Sequence, residues 1–417
     1  MTKHVVFVTW KMGNALTFEA AKRLGHRVTL IRSAKMEKSQ NVDFPRTRFV
    51  EFVDNVHLLD DATQIDVLRE CIRKINQSDP IDGFVATVDA LVVPVARIAE
   101  ELGIAFTSSH GAETAKLKHK CRDRLAECGV ESTRHEIVTT LEQARMFAQE
   151  VGFPIVLKPA CGSASEGAYI LADDASLLDC FARLGRHENV YRQGVLVEEY
   201  LKGRFVSAEI GICRGRILPL AISERKTWSQ HEALELGTTI PAAISAQEYD
   251  AAMDFAARAI QAVGLGLGIF HVEIMMTGNG PRLIELNPRI MGSCLPNLFY
   301  LAGGGDIFEL LVRVYLNEDV EMAPVKFDRY ATVRWFGAAN AQPRPATPDL
   351  SWATVHEPSL HSLSINFPNV ERLAPCRGNL GNFGEVQVVH ADYGTSIEIA
   401  ESIVSRIESD IGFELTR

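Results

Sequence analysis

No apolar run in this 417-residue chain is long enough to span a bilayer, and no Cys-x-x-Cys pair or zinc-ligand spacing occurs. A membrane-spanning protein and a zinc or dithiol redox site are therefore not expected. Neither GxGxxG nor GxxxxGK[ST] is present, so the common dinucleotide and P-loop fingerprints are missing. A basic excess is missing as well. With 43 Lys and Arg against 53 Asp and Glu the net charge is −10 and the pI near 5.7, which argues against nucleic-acid or anionic-membrane partners. The opening MTKHVVFVTW has no signal-peptide architecture, so a cytoplasmic location is expected. In that compartment the eight cysteines read as small buried hydrophobes. What remains is an ordinary globular composition, 47% hydrophobic and 23% charged, long enough for two to four domains.

The most informative stretch is FHVEIMMTGNGPRLIELNPRI, residues 270–290. Phe270 to Met276 and Arg282 to Leu286 alternate polar with apolar residues, the period of half-buried strands, around the turn TGNGP. If Met276 pairs with Arg282, Glu273 faces Glu285 and His271 faces Asn287 on one side, while Ile274 and Ile284 face a core. A slip of one residue would undo this. Two carboxylates placed opposite each other repel, and a divalent cation between them removes that cost. Oxygen ligands from two Glu and one Asn suit Mg²⁺ or Mn²⁺ better than zinc, with positions left for phosphate oxygens. The plain alternative is an exposed hairpin with solvated glutamates.

Elsewhere the pattern is βαβ at the start, with strands HVVFVTW, RVTLI and GFVATV around helix NALTFEAAKRLGH, so residues 1–108 read as a small doubly wound α/β domain. TAKLKHKCRDRLAECGV reads as one basic helix ending at Gly129. The strand FPIVLKPA runs into the loop CGSASEG, where Lys158 is followed by Gly162, Ser163, Ser165 and Gly167. Such a loop can fold over phosphates and offer backbone N–H groups while the lysine neutralises charge. In VLVEEYLKG an apolar strand runs into Glu198, Glu199 and Leu201, where a base could lie. Residues 322–417 read as an α+β region.

Taken in order, the helix lysine, strand lysine, Gly/Ser loop, EEYLKG and HVEIMMTGNGPRLIELNPRIMG resemble the ATP-grasp superfamily, specifically its carboxylate–amine ligases. SERKTWSQHEALELGTTIPA is similar to a stretch of the subgroup that forms dipeptides from unprotected L-amino acids. The resemblance spans the chain and implies a multidomain α/β and α+β protein, with a pre-ATP-grasp domain (1–108), a small ATP-grasp subdomain (109–200), a large metal-binding one (201–321) and a C-terminal α+β region (322–417). It implies ATP and two Mg²⁺ or Mn²⁺ ions as cofactors, amino acids as substrates, and metal ligation by Glu273, Glu285 and Asn287. Lys118 and Lys158 would bind phosphates, with Lys120 a competitor because Leu117 stands where the family usually has Asp. Glu198, Glu199 and Leu201 would frame adenine. Phe205 occupies the usual ribose-binding position, leaving Glu209 as a substitute. Arg289, held by Pro288, would meet the carboxylate under activation. Lys226, with Arg225, would meet phosphate or substrate, and His271 would orient a ligand, touch substrate or bond to the backbone.

The implied reaction makes an acyl phosphate from a carboxylate and ATP, then joins it to an amine. A carboxylating or purine-pathway enzyme of the same superfamily, and a nucleotide-binding module without catalysis, share these motifs. Which amino acids are joined, the general base, and the oligomeric state, a homodimer included, are left open.

Overall fold

The computed structural model describes residues 1–10, 15–39, 51–160, 167–184, 194–228 and 234–417. Four parallel strands open it: β1 (His4–Val8), β2 (Arg27–Ser33), β3 (Asn55–Leu59) and β4 (Gly83–Val85), in the order β3-β2-β1-β4. β1 is buried along its whole length, which is why it reads as a continuous apolar run. Helices α1 (Ala15–Arg23), α2 (Ala34–Ser39), α3 (Ile65–Ser78) and α4 (Asp89–Leu102) accompany the strands. β3 lacked a sequence signal because it is an edge strand, with Val56 and Leu58 53% and 57% exposed.

The expected single basic helix is two, α5 (Ser109–Lys116) and α6 (Lys118–Glu127), broken at Leu117, whose φ −91° and ψ 97° are extended. The break lets Lys118 N donate to Ala160 O at 3.1 Å, tying the start of α6 to the adjoining sheet. That sheet is antiparallel, in the order β5-β8-β6-β7, from β5 (His135–Val138), β6 (Ile155–Pro159), β7 (Tyr169–Leu171) and β8 (Val195–Glu199). Helices α7 (Leu141–Val151) and α8 (Asp174–Leu184) share its apolar cluster. A reciprocal Thr140–Gln143 capping box starts α7.

The largest element is an eight-stranded sheet, in the order β13-β12-β9-β10-β11-β14-β18-β16. Its strands are β9 (Gly203–Cys213), β10 (Arg216–Trp228), β11 (Leu234–Ile240), β12 (Gly268–Thr277), β13 (Gly280–Asn287), β14 (Tyr330–Phe336), β16 (Leu360–Ile365) and β18 (Gly384–His390). A two-residue pair, β15 (Gln342–Pro343) with β17 (Arg372–Leu373), stands apart. The sheet therefore crosses residue 322 without interruption. The chain also forms α9 (Ala246–Ala262), α10 (Leu295–Leu301), α11 (Ile307–Tyr315) and α12 (Tyr393–Ile411). α9 packs on Val206, Ile210, Phe270 and Ile274 of one sheet face. α12 lies on the same face, where its Glu401 accepts from both Lys226 and Arg334. Gly203 cannot carry a Cβ, which would stand 2.1 Å from Met276 O, because β9 and β12 run so close there.

A shared apolar cluster joins Val5 and Phe7 of the first sheet to Leu311 and Tyr315 of α11. Phe106 stacks on Tyr315 with ring centroids 5.0 Å apart. Among the described residues no helix is long and apolar enough to cross a membrane.

Candidate active site

The opposite face of the large sheet, the small antiparallel sheet and the first domain enclose a cavity of about 870 Å³. At its centre β12 and β13 pair His271 with Asn287 and Glu273 with Glu285. The premise behind that expectation fails while its consequence stands. Thr277 pairs with Gly280 and Met275 with Arg282, so the turn is the two residues Gly278 and Asn279 rather than the five of TGNGP. A bulge between Glu273 and Ile274 then restores the register by one residue. Ile284 is the extra residue, and it lines the cavity instead of facing the core with the fully buried Ile274.

Charges around the hairpin are closely paired. Lys118 donates to Glu285 Oε1 at 2.8 Å. Lys158 lies 2.7 Å from Glu198 Oε2 and 3.4 Å from Ile284 O. Arg122 donates to both oxygens of Glu198, at 2.5 and 3.2 Å, and to Glu131 at 3.1 Å. Burial alone would raise the Glu198 carboxyl, but Arg122 and Lys158 outweigh it and hold it at about 2. Burial also pushes the Lys158 ammonium down, against the pull of Glu198. Glu198, which lines the cavity beside Glu199 and Leu201, is thus also the counter-ion of two cations. Glu199, which accepts from Arg134 N at 2.9 Å, and Leu201 line the same end as Val156, Ile170 and Met275. Lys120 is exposed and lies away from the cavity that Lys118 lines. Gly162, Ser163 and Ser165 lie outside the described residues, whereas Gly167 adopts φ +73° beside the cavity-lining Ala168.

His271 is 3% exposed, with Nδ1 2.5 Å from Glu209 Oε1 and Nε2 3.3 Å from Glu273 Oε1. Burial would lower its pKa, but the charge of Glu209 outweighs this and raises it to about 9. The imidazole, favoured in its charged form by Glu209, braces Glu273 from Nε2. Burial opposes ionisation of Glu273 too, yet His271, Arg225 and Lys118 hold its carboxyl at about 2. Glu209 itself is fully buried and away from the cavity wall, so it does not replace the ribose contact. The strand pairing explains this, since Glu209 stands opposite His271 on β9.

Arg289 donates from Nη2 to Asp89 Oδ2 at 2.7 Å and from Nη1 to Ile290 O at 2.8 Å. Asp89 is the first residue of α4, so the first domain orients this guanidinium. The expectation for Lys226 is overturned: it points to the helical face and pairs with Glu401. Its neighbour Arg225 points into the cavity, 2.6 Å from Glu235 and 3.7 Å from Glu273. Strand alternation carried that signal, though not which face would be the cavity. Thr87, Asp89, Trp335, Asn366 and Glu385 also line the cavity and belong to no motif.

The donor set fits a hard divalent cation: two opposed carboxylates and a carboxamide around one cavity, with a phosphate-sized space beside two lysines. No cluster of three His, Cys, Asp or Glu side chains poised to hold a metal occurs among the described residues, so the set would keep positions open for other oxygens.

Residues 18–105 match the ATP-grasp N-terminal domain and residues 151–297 the ATP-grasp domain. This is an ATP-grasp protein. It is 28% identical to the uncharacterized protein y4rH of Sinorhizobium fredii over 66% of this chain and 57% of that one. It is 27% identical to the alanine–anticapsin ligase of Bacillus subtilis over 59% of this chain and 56% of that one. The ATP-grasp chain thus spans little more than half the length of these curated relatives. The L-amino acid ligase of Bacillus licheniformis superposes with a TM-score of 0.78, covering 97% of both chains at 19% identity, which speaks for the fold alone. Both the relatives and the mixed parallel and antiparallel sheets agree with an ATP-grasp ligase fold resembling the L-amino acid ligases.

Proposed function

We propose that the protein is an ATP-dependent carboxylate–amine ligase acting on two amino acids. The observation that carries this reading is the row of Lys158, Lys118, the opposed Glu273 and Glu285 with Asn287, and Arg289 along one cavity. Its volume of about 870 Å³ suits a nucleotide together with two small substrates.

In this reading the adenine lies at the apolar end, among Val156, Ile170, Leu201 and Met275. Lys158 and Lys118 hold the phosphates, and Lys118 exchanges its pairing with Glu285 for a phosphate oxygen. Glu273, Glu285 and Asn287 would hold Mg²⁺ or Mn²⁺, two ions in the family pattern, which would supply positive charge against that growing on the transferred phosphoryl group. Arg289, already oriented by Asp89, aligns the substrate carboxylate. One carboxylate oxygen bonds to the γ-phosphorus as the bond to ADP breaks. The amine of the second amino acid then attacks the acyl carbon, phosphate leaves, and the amine proton passes to a base or to solvent. His271, bonded to Glu209 and Glu273, holds Glu273 in place.

The test is ATP with pairs of amino acids, reading phosphate release and product mass. Phosphate stoichiometric with a condensed product supports the reading. ADP formation stimulated only by bicarbonate would move the protein to the carboxylating branch.

A further inference from the structure

The far wall of the cavity has no place in the mechanism above. Arg225, Trp335 and Glu385 line it; Arg225, Thr238, Val333 and Gln387 stand in register on β10, β11, β14 and β18, and Trp335 pairs with Glu385 two residues further on. Ser364 pairs with Glu385 from β16, and Asn366, Asn379 and Asn382 complete a polar wall.

Charge at this end is unevenly matched. Asp89 has Arg289 at 2.7 Å and Glu235 has Arg225 at 2.6 Å. The partners of Glu385 among the described residues are neutral, Trp335 Nε1 at 2.7 Å, Gln387 Nε2 at 2.5 Å and the Cys294 thiol, with no cation. A half-buried carboxylate left without a counter-ion is costly unless a ligand supplies one. A second observation points the same way. The Arg225 side chain is only 4% exposed, yet its Nε and Nη1 find no partner among the described residues while it lines the same cavity. The wall thus offers an incompletely matched cation and anion, as a zwitterion with an extra positive charge would require. The indole of Trp335 adds a face on which an ammonium can rest.

Resting on the ligase reading, we propose that Trp335 and Glu385 select a substrate amino acid with a basic side chain of the lysine or ornithine type, its carboxylate end turned toward Arg225.

The full-length enzyme is assayed with ATP, Mg²⁺ and a fixed partner amino acid, comparing lysine with norleucine, which has the same chain length without the ammonium. Lysine should give a kcat/KM about tenfold or more above norleucine, as a charged hydrogen bond would confer. Glu385→Gln should collapse that ratio, through KM rather than kcat, and Trp335→Phe should lower it less. A wild-type ratio near one, or a ratio unmoved in Glu385→Gln, overturns the inference while the ligase reading stands. Absence of turnover with every pair would remove the ligase reading. Thermal-shift binding with ADP and Mg²⁺ then decides the inference by itself: stabilisation by lysine over norleucine that is lost in Glu385→Gln supports it, and equal shifts sink it.

Discussion

The two ends of the cavity are built on one face of one sheet, yet they are held together differently. At the hairpin end every charge is answered from within: Lys118 by Glu285, Lys158 and Arg122 by Glu198, His271 by Glu209 and Glu273. At the far wall, among the described residues, Glu385 has neutral partners but no cation, and two nitrogens of Arg225 on β10 have no partner. The first arrangement keeps a set of ionised groups in a fixed geometry whatever small molecule follows. The second can discriminate, because a ligand that fails to match it leaves buried polar atoms unpaired.

The comparison is broken most severely by removing a carboxylate of the proposed metal site. Glu273→Ala or Glu285→Ala should reduce turnover to background, read as phosphate release under saturating ATP and Mg²⁺. Retained activity in either would mean the opposed pair is not the ion site. Next comes Glu198→Ala, which leaves Arg122 and Lys158 buried without their shared counter-ion. A loss of about 3–5 kcal/mol in denaturant-derived stability is expected, and an unchanged midpoint would show that the network relaxes around the gap. The same group sets a pH effect. Because its folded pKa of about 2 lies below the ordinary 4.5, its contribution is fully present above 4.5 and is lost as pH falls towards 2. Stability measured from pH 6 to 2 should therefore fall less steeply in Glu198→Gln than in the wild type.

A smaller effect is expected from Asp89→Asn, which keeps the shape but weakens the grip on Arg289. The carboxylate-activating half-reaction should slow about tenfold while ADP affinity holds. Equal loss of both would place Asp89 in folding rather than positioning. The smallest is Lys226→Ala. Its pair with Glu401 is about one-third exposed, and such pairs contribute roughly 0–1 kcal/mol. Activity should stay within about twofold of wild type, and a large loss would return Lys226 to the site.

Much of the hairpin end was legible because its chemistry is local in the chain. Glu273, Glu285 and Asn287 lie on two strands joined by a tight turn, so period-two alternation nearly suffices to bring them together. It did not suffice alone, since the turn is two residues rather than five, the pairing beside it is one residue out of the expected register, and only the bulge at Ile284 brought the carboxylates face to face. Glu209 was placed at the ribose because proximity to a motif was taken for exposure to ligand, whereas it is a buried partner of His271 and does not line the cavity. Lys226 and Arg225 were named together because the sequence alternates the two without saying which face is covered by α12. The far wall could not be anticipated, because Arg225, Trp335 and Glu385 sit more than a hundred residues apart at their extremes and meet only through strand order.

By itself the sequence determined the alternation of buried and exposed positions, the strand that carries Lys158, and the hairpin that carries Glu273 and Glu285. These follow from short-range periodicity and turn chemistry, which act between neighbours in the chain. Tertiary structure alone decided which charges became internal counter-ions, which face of the large sheet became the cavity, and that Asp89 of the first domain would orient Arg289 of the hairpin's end. Those outcomes depend on which elements pack against which, and desolvation and pairing of charge are set only when that packing is complete.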